Sequence, residues 1–236
     1  MVYRAGVNAS RTARERARAE LVAEITAAAR RQLADTGAAA LSMRAVSREL
    51  GMVSSALHRY FPTRDDLLTA LIVQSYDALA DAIERALTGV ADPVDRWRAL
   101  ARAVRGWALA NPHEYALIYG SPVPGYRAPA DTVTSAARGI TPLGRLLADA
   151  HAAGALAVDP EPVTPGPAAD AGRLRAALAT PDLPDGALLA AITAWTGLFG
   201  HVSFELFGQF ENVLEHRDAA FDATIDRLGR IAGLGT

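Results

Sequence analysis

With 236 residues, half of them apolar, the chain can bury a sizeable core as one large domain or as a small domain joined to a larger one. It has no cysteine, which excludes disulfides and thiolate metal sites. The net charge of −2 conceals a division: residues 1–64 carry eleven arginines against five carboxylates, a net +6, and residues 65–236 carry thirteen against twenty-one, a net −8. There is no lysine, so arginine supplies every fixed positive charge. A basic head on an acidic body points to a polyanionic partner for the head, with chance variation in surface charge as the alternative. No run of eighteen apolar residues and no signal-peptide core occurs, so a soluble cytoplasmic protein with no membrane partner is expected.

Nearly all of the chain reads as helix. Residues 1–18 form a basic leader. Leu21, Ile25, Ala29 and Leu33 recur every four residues and mark one helical face, which Gly37 ends. Ser42 is placed to cap "MRAVSREL", and Gly51 closes that helix. "VSSALHRYF" makes a third short helix before Pro62. Thr63 caps a fourth, which runs to about Leu87 with Asp65 and Asp66 where the helix dipole favours anions. Asp92-Pro93 starts the next helix and Asn111-Pro112 breaks it. "GSPVPGYRAP" is a loop, followed by a helix from about Ala130 to Gly154. Residues 155–185 are rich in proline, including Pro160, and read as a mobile connection with a short helix inside it. Two long helices close the chain, about Asp185–Leu214 and Arg217–Ala232, and no strand pattern is present. The predicted class is all-α.

Residues 43–61 place a helix, a short glycine turn and a second helix with a basic, aromatic end. This is helix-turn-helix spacing, although many helical hairpins share it. Val46, Leu50, Ala56 and Leu57 fall inward, leaving Ser54, Ser55, His58 and Arg59 available outward to bases or phosphates.

Residues 21–71 resemble the N-terminal DNA-binding domain of the TetR family of transcriptional regulators. The resemblance rests on "AAARRQLADTGAAALSMRAVSRELGM" for the first two helices and "SSALHRYFPTRDDLLTAL" for the recognition helix and the start of helix 4. It implies a three-helix domain over 19–64 and a regulatory and dimerisation domain over 65–236. By position it implies DNA contacts from Ser42, Arg44, Ser54, Ser55, His58, Arg59, Tyr60 and Arg64; Tyr60 could also serve partly as core. The chain departs from the family pattern at Leu33, Val53, His58 and Arg64. The family often has Ser or Thr at 53 and usually Tyr at 58, so Ser54 is the substitute cap and the preferred operator is open. The leader resembles family arms that enter the minor groove, with a frayed, solvated terminus as the alternative.

"AITAWTGLFGHVSFELFGQF", Ala191 to Phe210, resembles the regulatory domain of a TetR subgroup named for a Trp-His-Gly motif. That resemblance implies a helical bundle that binds a small effector and dimerises through its last two helices. Gly197, Gly200 and Gly208 are costly inside a helix, about 1 kcal/mol each against Ala. Close approach to a second copy, to a ligand, or within the chain would each explain them; dimer packing is preferred. An effector pocket would draw on Tyr76, Trp107, His113, Tyr115, Tyr119 and Phe199, each of which could equally be core. His201 and Glu205 lie one turn apart but lack a second histidine for a metal, and no catalytic or phosphate-binding motif occurs. No cofactor is implied.

The leading expectation is therefore a homodimeric repressor, released from a palindromic operator by an unidentified small molecule. A ligand-independent DNA-binding protein, and a helical-bundle enzyme or carrier, are the alternatives.

Overall fold

A computed structural model describes residues 3–130, 132–158 and 162–235, with backbone alone through residue 11. Pro160 lies outside the described residues. The helices are α1 (Tyr3–Thr36), α2 (Met43–Glu49), α3 (Ser54–Leu57), α4 (Arg64–Leu87), α5 (Pro93–Ala110), α6 (Pro112–Tyr119), α7 (Thr132–Ala152), α8 (Pro165–Leu178), α9 (Asp185–Leu206) and α10 (Arg217–Ile231), with a 3-10 turn at Ala38–Ala40. Among the described residues the one β pairing is a single bridge between Leu156 and Leu234.

Local signals account for most boundaries. Gly37 ends α1 at φ 77°, a conformation that side chains resist. Asp92 caps α5 by accepting from Asp95 N–H at 2.9 Å, with Pro93 at the first helical position. Thr63 and Asp66 cap α4 reciprocally: Thr63 N–H donates to Asp66 Oδ2 at 2.9 Å, and Asp66 N–H to Thr63 Oγ1 at 3.1 Å.

Two boundaries differ from the sequence expectation. The leader is helical from Tyr3 and continuous with α1, because alanine, arginine and glutamate favour helix; its residues 12–20 are exposed. The side chains of Arg4 and Arg11 lie outside the described residues. α7 carries Pro142 in its interior and stays continuous across it. α9 stops at Leu206 rather than near Leu214, with Gly208 at φ 77° two residues beyond.

The chain forms two compact units. The first comprises residues 1–75 and 113–132, and the second comprises 76–112 and 133–236. The first is larger than the 19–64 domain read from sequence because α6 and the first half of α4 pack with α1. Arg30 of α1 donates to Glu114 of α6 at 3.2 Å and to Gln74 of α4 at 2.7 Å, and the Ser75 hydroxyl donates to Glu114 at 3.0 Å. Ile25, Val46, Leu57, Leu67, Leu68 and Tyr115 form its fully buried interior.

In the second unit, α9 packs against α5, α8 and α10. The Trp97 indole N–H donates to Ile225 O at 2.7 Å, and Gly229 leaves room for that ring: a Cβ there would lie 2.8 Å from Trp97 Cδ1. Gly197 serves the same purpose against Leu228, where a Cβ would meet Cδ2 at 2.6 Å. By length and composition α9 could cross a membrane, with a mean hydropathy of 1.4. Packing against three other helices explains an apolar character that extends around much of its circumference.

Candidate nucleic-acid interface

α2 and α3 are too short to be stable alone, so their orientation comes from packing. Ser42 fastens the start of α2. Its hydroxyl accepts from Ala45 N–H at 3.4 Å, and its own N–H donates to Gln32 Oε1 on α1 at 2.7 Å. Val46 and Ser47 form the buried face of α2, and the Ser47 hydroxyl donates to Met43 O at 2.9 Å. Gly51, at φ 64°, turns the chain, and Met52 N–H closes the turn on Ser47 O at 2.8 Å. Leu57 and Phe61 then anchor α3 and its exit in the core, each burial being worth about 2 kcal/mol.

That anchoring decides what faces outward. Arg44 and Arg48 of α2 are exposed, as are Ser54, Ser55, His58 and Arg59 on and just after α3. Arg44, Arg48 and Arg59 make no ion pair among the described residues. Three cations beside two hydroxyls and an imidazole suit phosphate oxygens and base edges.

Several of the expected contact residues are already engaged within the unit. His58 Nδ1 lies 2.9 Å from Pro62 O; a carbonyl only accepts, so Nδ1 carries a proton and Nε2 is left to face outward. Tyr60 is half-buried, with the Arg18 guanidinium 5.1 Å above its ring. Arg64 donates Nε–H to Leu41 O at 3.0 Å and Nη2–H to Ala38 O at 2.8 Å and Ala39 O at 3.1 Å, while Nη1 lies 3.6 Å from Asp65. It therefore clasps the Ala38–Ala40 turn to the start of α4, and a phosphate would compete with those carbonyls. Sequence reasoning missed Arg18 as a neighbour of Tyr60, because forty-two positions separate them. It noted Val53 only as a departure from the family's Ser or Thr and missed its exposure of 70%. Ser54 is not the substitute cap expected from the sequence: it is the first residue of α3, Val53 holds the N-cap position, and no side chain caps the helix.

The six expected effector residues divide between the units. Tyr115 is fully buried in the first unit and packs against Tyr119, ring centroids 5.1 Å apart. His113 is exposed and lines a cleft of about 340 Å³ with Leu33, the Gly37–Ala39 turn, Leu117 and the Ser121–Pro124 loop. In the second unit Trp107 and Phe199 are buried, Phe199 beside Trp195 at 4.7 Å, and Tyr76 is half-buried. Burial raises the Tyr76 phenol above its ordinary pKa.

His201 and Glu205 are not arranged as metal ligands. Glu205 is buried and receives two hydrogen bonds from Arg105, at 2.8 and 2.7 Å. His201 Nε2 is buried without a hydrogen-bond partner, between Phe210 at 4.9 Å and Phe221 at 5.4 Å. Burial lowers the His201 pKa, the Glu205 carboxylate opposes that shift, and the Arg105 cation adds to it.

Comparison with known proteins places this architecture. Residues 25–71 match a family described as bacterial regulatory proteins of the tetR family, and residues 97–228 match a tetracyclin repressor-like C-terminal domain. The HTH-type transcriptional regulator Rv1816 of Mycobacterium tuberculosis is 42% identical over 219 residues, which is 89% of this chain and 91% of that protein. The crystal structure of the regulatory protein SCO4313 is 38% identical with a TM-score of 0.75, covering 91% of this chain and 97% of that one. A protein of unknown function from Rhodococcus sp. RHA1 is 26% identical with a TM-score of 0.70, covering 92% and 96%. The chain belongs to the TetR family of bacterial transcriptional regulators, a class of DNA-binding proteins and not of enzymes.

Proposed function

We propose that the protein is a cytoplasmic homodimeric repressor that binds a palindromic operator and leaves it when a small molecule binds. The observation that carries the reading is the outward edge of Arg44, Arg48, Ser54, Ser55, His58 and Arg59, held by a core that buries Leu57 completely. Two such edges must reach half-sites about 34–36 Å apart, or a multiple of that spacing.

α9 and α10 are proposed as the dimer surface. Thr193, Thr196, Gly200 and Phe204 on α9, and Phe207 at its C-cap, are exposed at steps of three and four residues. Phe204 is 54% and Phe207 48% exposed, and no atom lies within 4 Å of where a Gly200 Cβ would stand. Aromatic side chains beside an open glycine suit close helix packing by a second copy.

For the effector, the cleft lined by His113 supports one reading. Its Ala38–Ala39 wall is the turn whose carbonyls hold Arg64. A molecule that moves this turn would disturb the clasp at the start of α4. Tyr76, Trp107 and Phe199 stand as the alternative lining, within the second unit. α4 belongs to both units, Arg64–Ser75 to the first and Tyr76–Leu87 to the second, so either site has a covalent route to the head. Reciprocity requires that operator weaken effector binding by the same factor.

The test is selection of bound duplexes from a random pool, followed by sedimentation of the complex. Enrichment of an inverted repeat bound by two protomers supports the proposal, and Phe204→Glu should then weaken both assembly and operator binding. Enrichment of an asymmetric site bound by one protomer would reject the dimer reading. Failure of every compound in a broad screen to lower operator affinity would favour a ligand-independent regulator, a reading suggested by the full burial of Tyr115.

A further inference from the structure

We infer that Val53 is a specificity-determining residue whose side chain packs on the C5-methyl group of a thymine in the major groove. This rests on the reading that α3 enters that groove. Val53 carries two costs at once. It holds the N-cap position of α3 with φ −71° and ψ 140°, where Ser or Thr would accept a hydrogen bond, and it provides none. It also leaves an apolar side chain 70% exposed. Among the described residues no side chain caps α3 in its place, so a covering partner is the place to look for compensation.

The surroundings select the partner. Val53 directly precedes the exposed Ser54 and Ser55, and Arg44, Arg48 and Arg59 supply positive charge, without an ion pair among the described residues, on the same two helices and their exit. An apolar protein surface would leave those cations desolvated, whereas DNA answers them with phosphates. The thymine methyl is the apolar group that a major groove presents among its hydrogen-bonding edges. A valine there favours T·A and cannot replace that contact with a hydrogen bond to a neighbouring base.

The experiment removes the methyl and nothing else. Each thymine of the selected half-site is replaced in turn by deoxyuridine, symmetrically in both halves, and affinity is measured for the wild type, Val53→Ala and Val53→Ser. For the wild type, one position should weaken binding by about three- to fivefold per half-site, the worth of one buried methyl. For both variants that same replacement should change affinity less than about twofold by the same reckoning. Val53→Ser should in addition raise the melting temperature, because its hydroxyl can cap α3, so loss of the methyl response cannot be ascribed to misfolding. Deoxyuridine tolerated at every position by the wild type would overturn the assignment, as would an equal loss in wild type and variants. Absence of specific binding by the wild type to the unmodified site would overturn the groove reading itself, and the Val53 assignment with it.

Discussion

The second unit uses arginine to tie helices together, whereas the first, which also holds Arg30 and Arg64 internally, leaves three arginines on its outward edge. In the second unit three arginines of α5 form a ladder to the acids of α10: Arg98 to Asp226 at 2.8 Å, Arg102 to Asp222 at 2.9 Å, and Arg105 to Asp218 at 2.6 Å. Arg138 of α7 reaches Asp77, Asp81 and Glu84 on α4 at 2.8–3.1 Å. In the first unit Arg44, Arg48 and Arg59 face solvent without a carboxylate partner among the described residues. One residue type thus ties helices together where acids face it, and where none does it presents a charge to an external anion. The net −2 of the chain hides both uses.

The comparison breaks most clearly at Arg105, whose side chain is 15% exposed against 6% for Glu205. Arg105→Met should cost about 3–5 kcal/mol, because a buried carboxylate loses its partner. Chemical denaturation measures this, and adding Glu205→Met should recover most of the loss. If Arg105→Met alone were neutral, the pair would not be a structural tie. On the opposite side, Arg44→Ala with Arg59→Ala should weaken operator binding about 10- to 100-fold and flatten its salt dependence by about one unit of log–log slope per lost phosphate contact. Its stability should stay within about 0.5 kcal/mol of wild type per substitution. A large loss of stability with unchanged DNA affinity would reverse the assignment of roles.

A third test uses pH. The neutral form of His201 is favoured on folding, so its pKa lies below the ordinary 6.5. The unfolded chain then binds more protons between those two values, and stability should fall as pH drops below about 6.5. Arg105 and Glu205 are the charged groups acting on His201. His201→Phe should flatten that limb of a melting-temperature profile, and an unchanged slope would assign it to other groups. The smallest effect is expected at Arg102 and Asp222, whose side chains are 57% and 51% exposed. Replacing both by Ala should change stability by no more than about 0.5 kcal/mol, and a double-mutant cycle would resolve a larger coupling if the ladder acts cooperatively.

Much of the fold was legible because its signals are local. Ser42, Gly51, Thr63, Asp92-Pro93 and Asn111-Pro112 each act within four residues, and each stands at the boundary read from it. The Leu21–Leu33 repeat was read as one face, and Ile25, Ala29 and Leu33 are buried together. The site was legible in outline for the same reason: once Val46, Leu57 and Phe61 point inward, Ser54, Ser55, His58 and Arg59 have the other side. Roles that depend on distant partners were not legible. Gly208 and the other glycines of the 191–210 segment looked alike in sequence, yet Gly197 admits Leu228, Gly200 faces open space, and Gly208, at φ 77°, lies just beyond the helix. For that reason Gly208 is a poor place to probe a dimer, since any side chain there is strained.

By itself the sequence determined the helical class, the order of the helices, most of their caps and the helix-turn-helix edge, because periodicity and capping act between residues a turn or less apart. Tertiary structure alone decided which charges are spent. Arg64 clasps carbonyls twenty-three to twenty-six positions away, and Arg98 meets an acid 128 positions away. Tyr115 became core and Val53 was left exposed by packing that no neighbour in the chain encodes. The physical reason is that an arginine, a tyrosine or a valine carries the same chemistry wherever it stands, and only the residues that folding brings against it, or fails to bring, determine whether that chemistry is used inside the molecule or offered outside it.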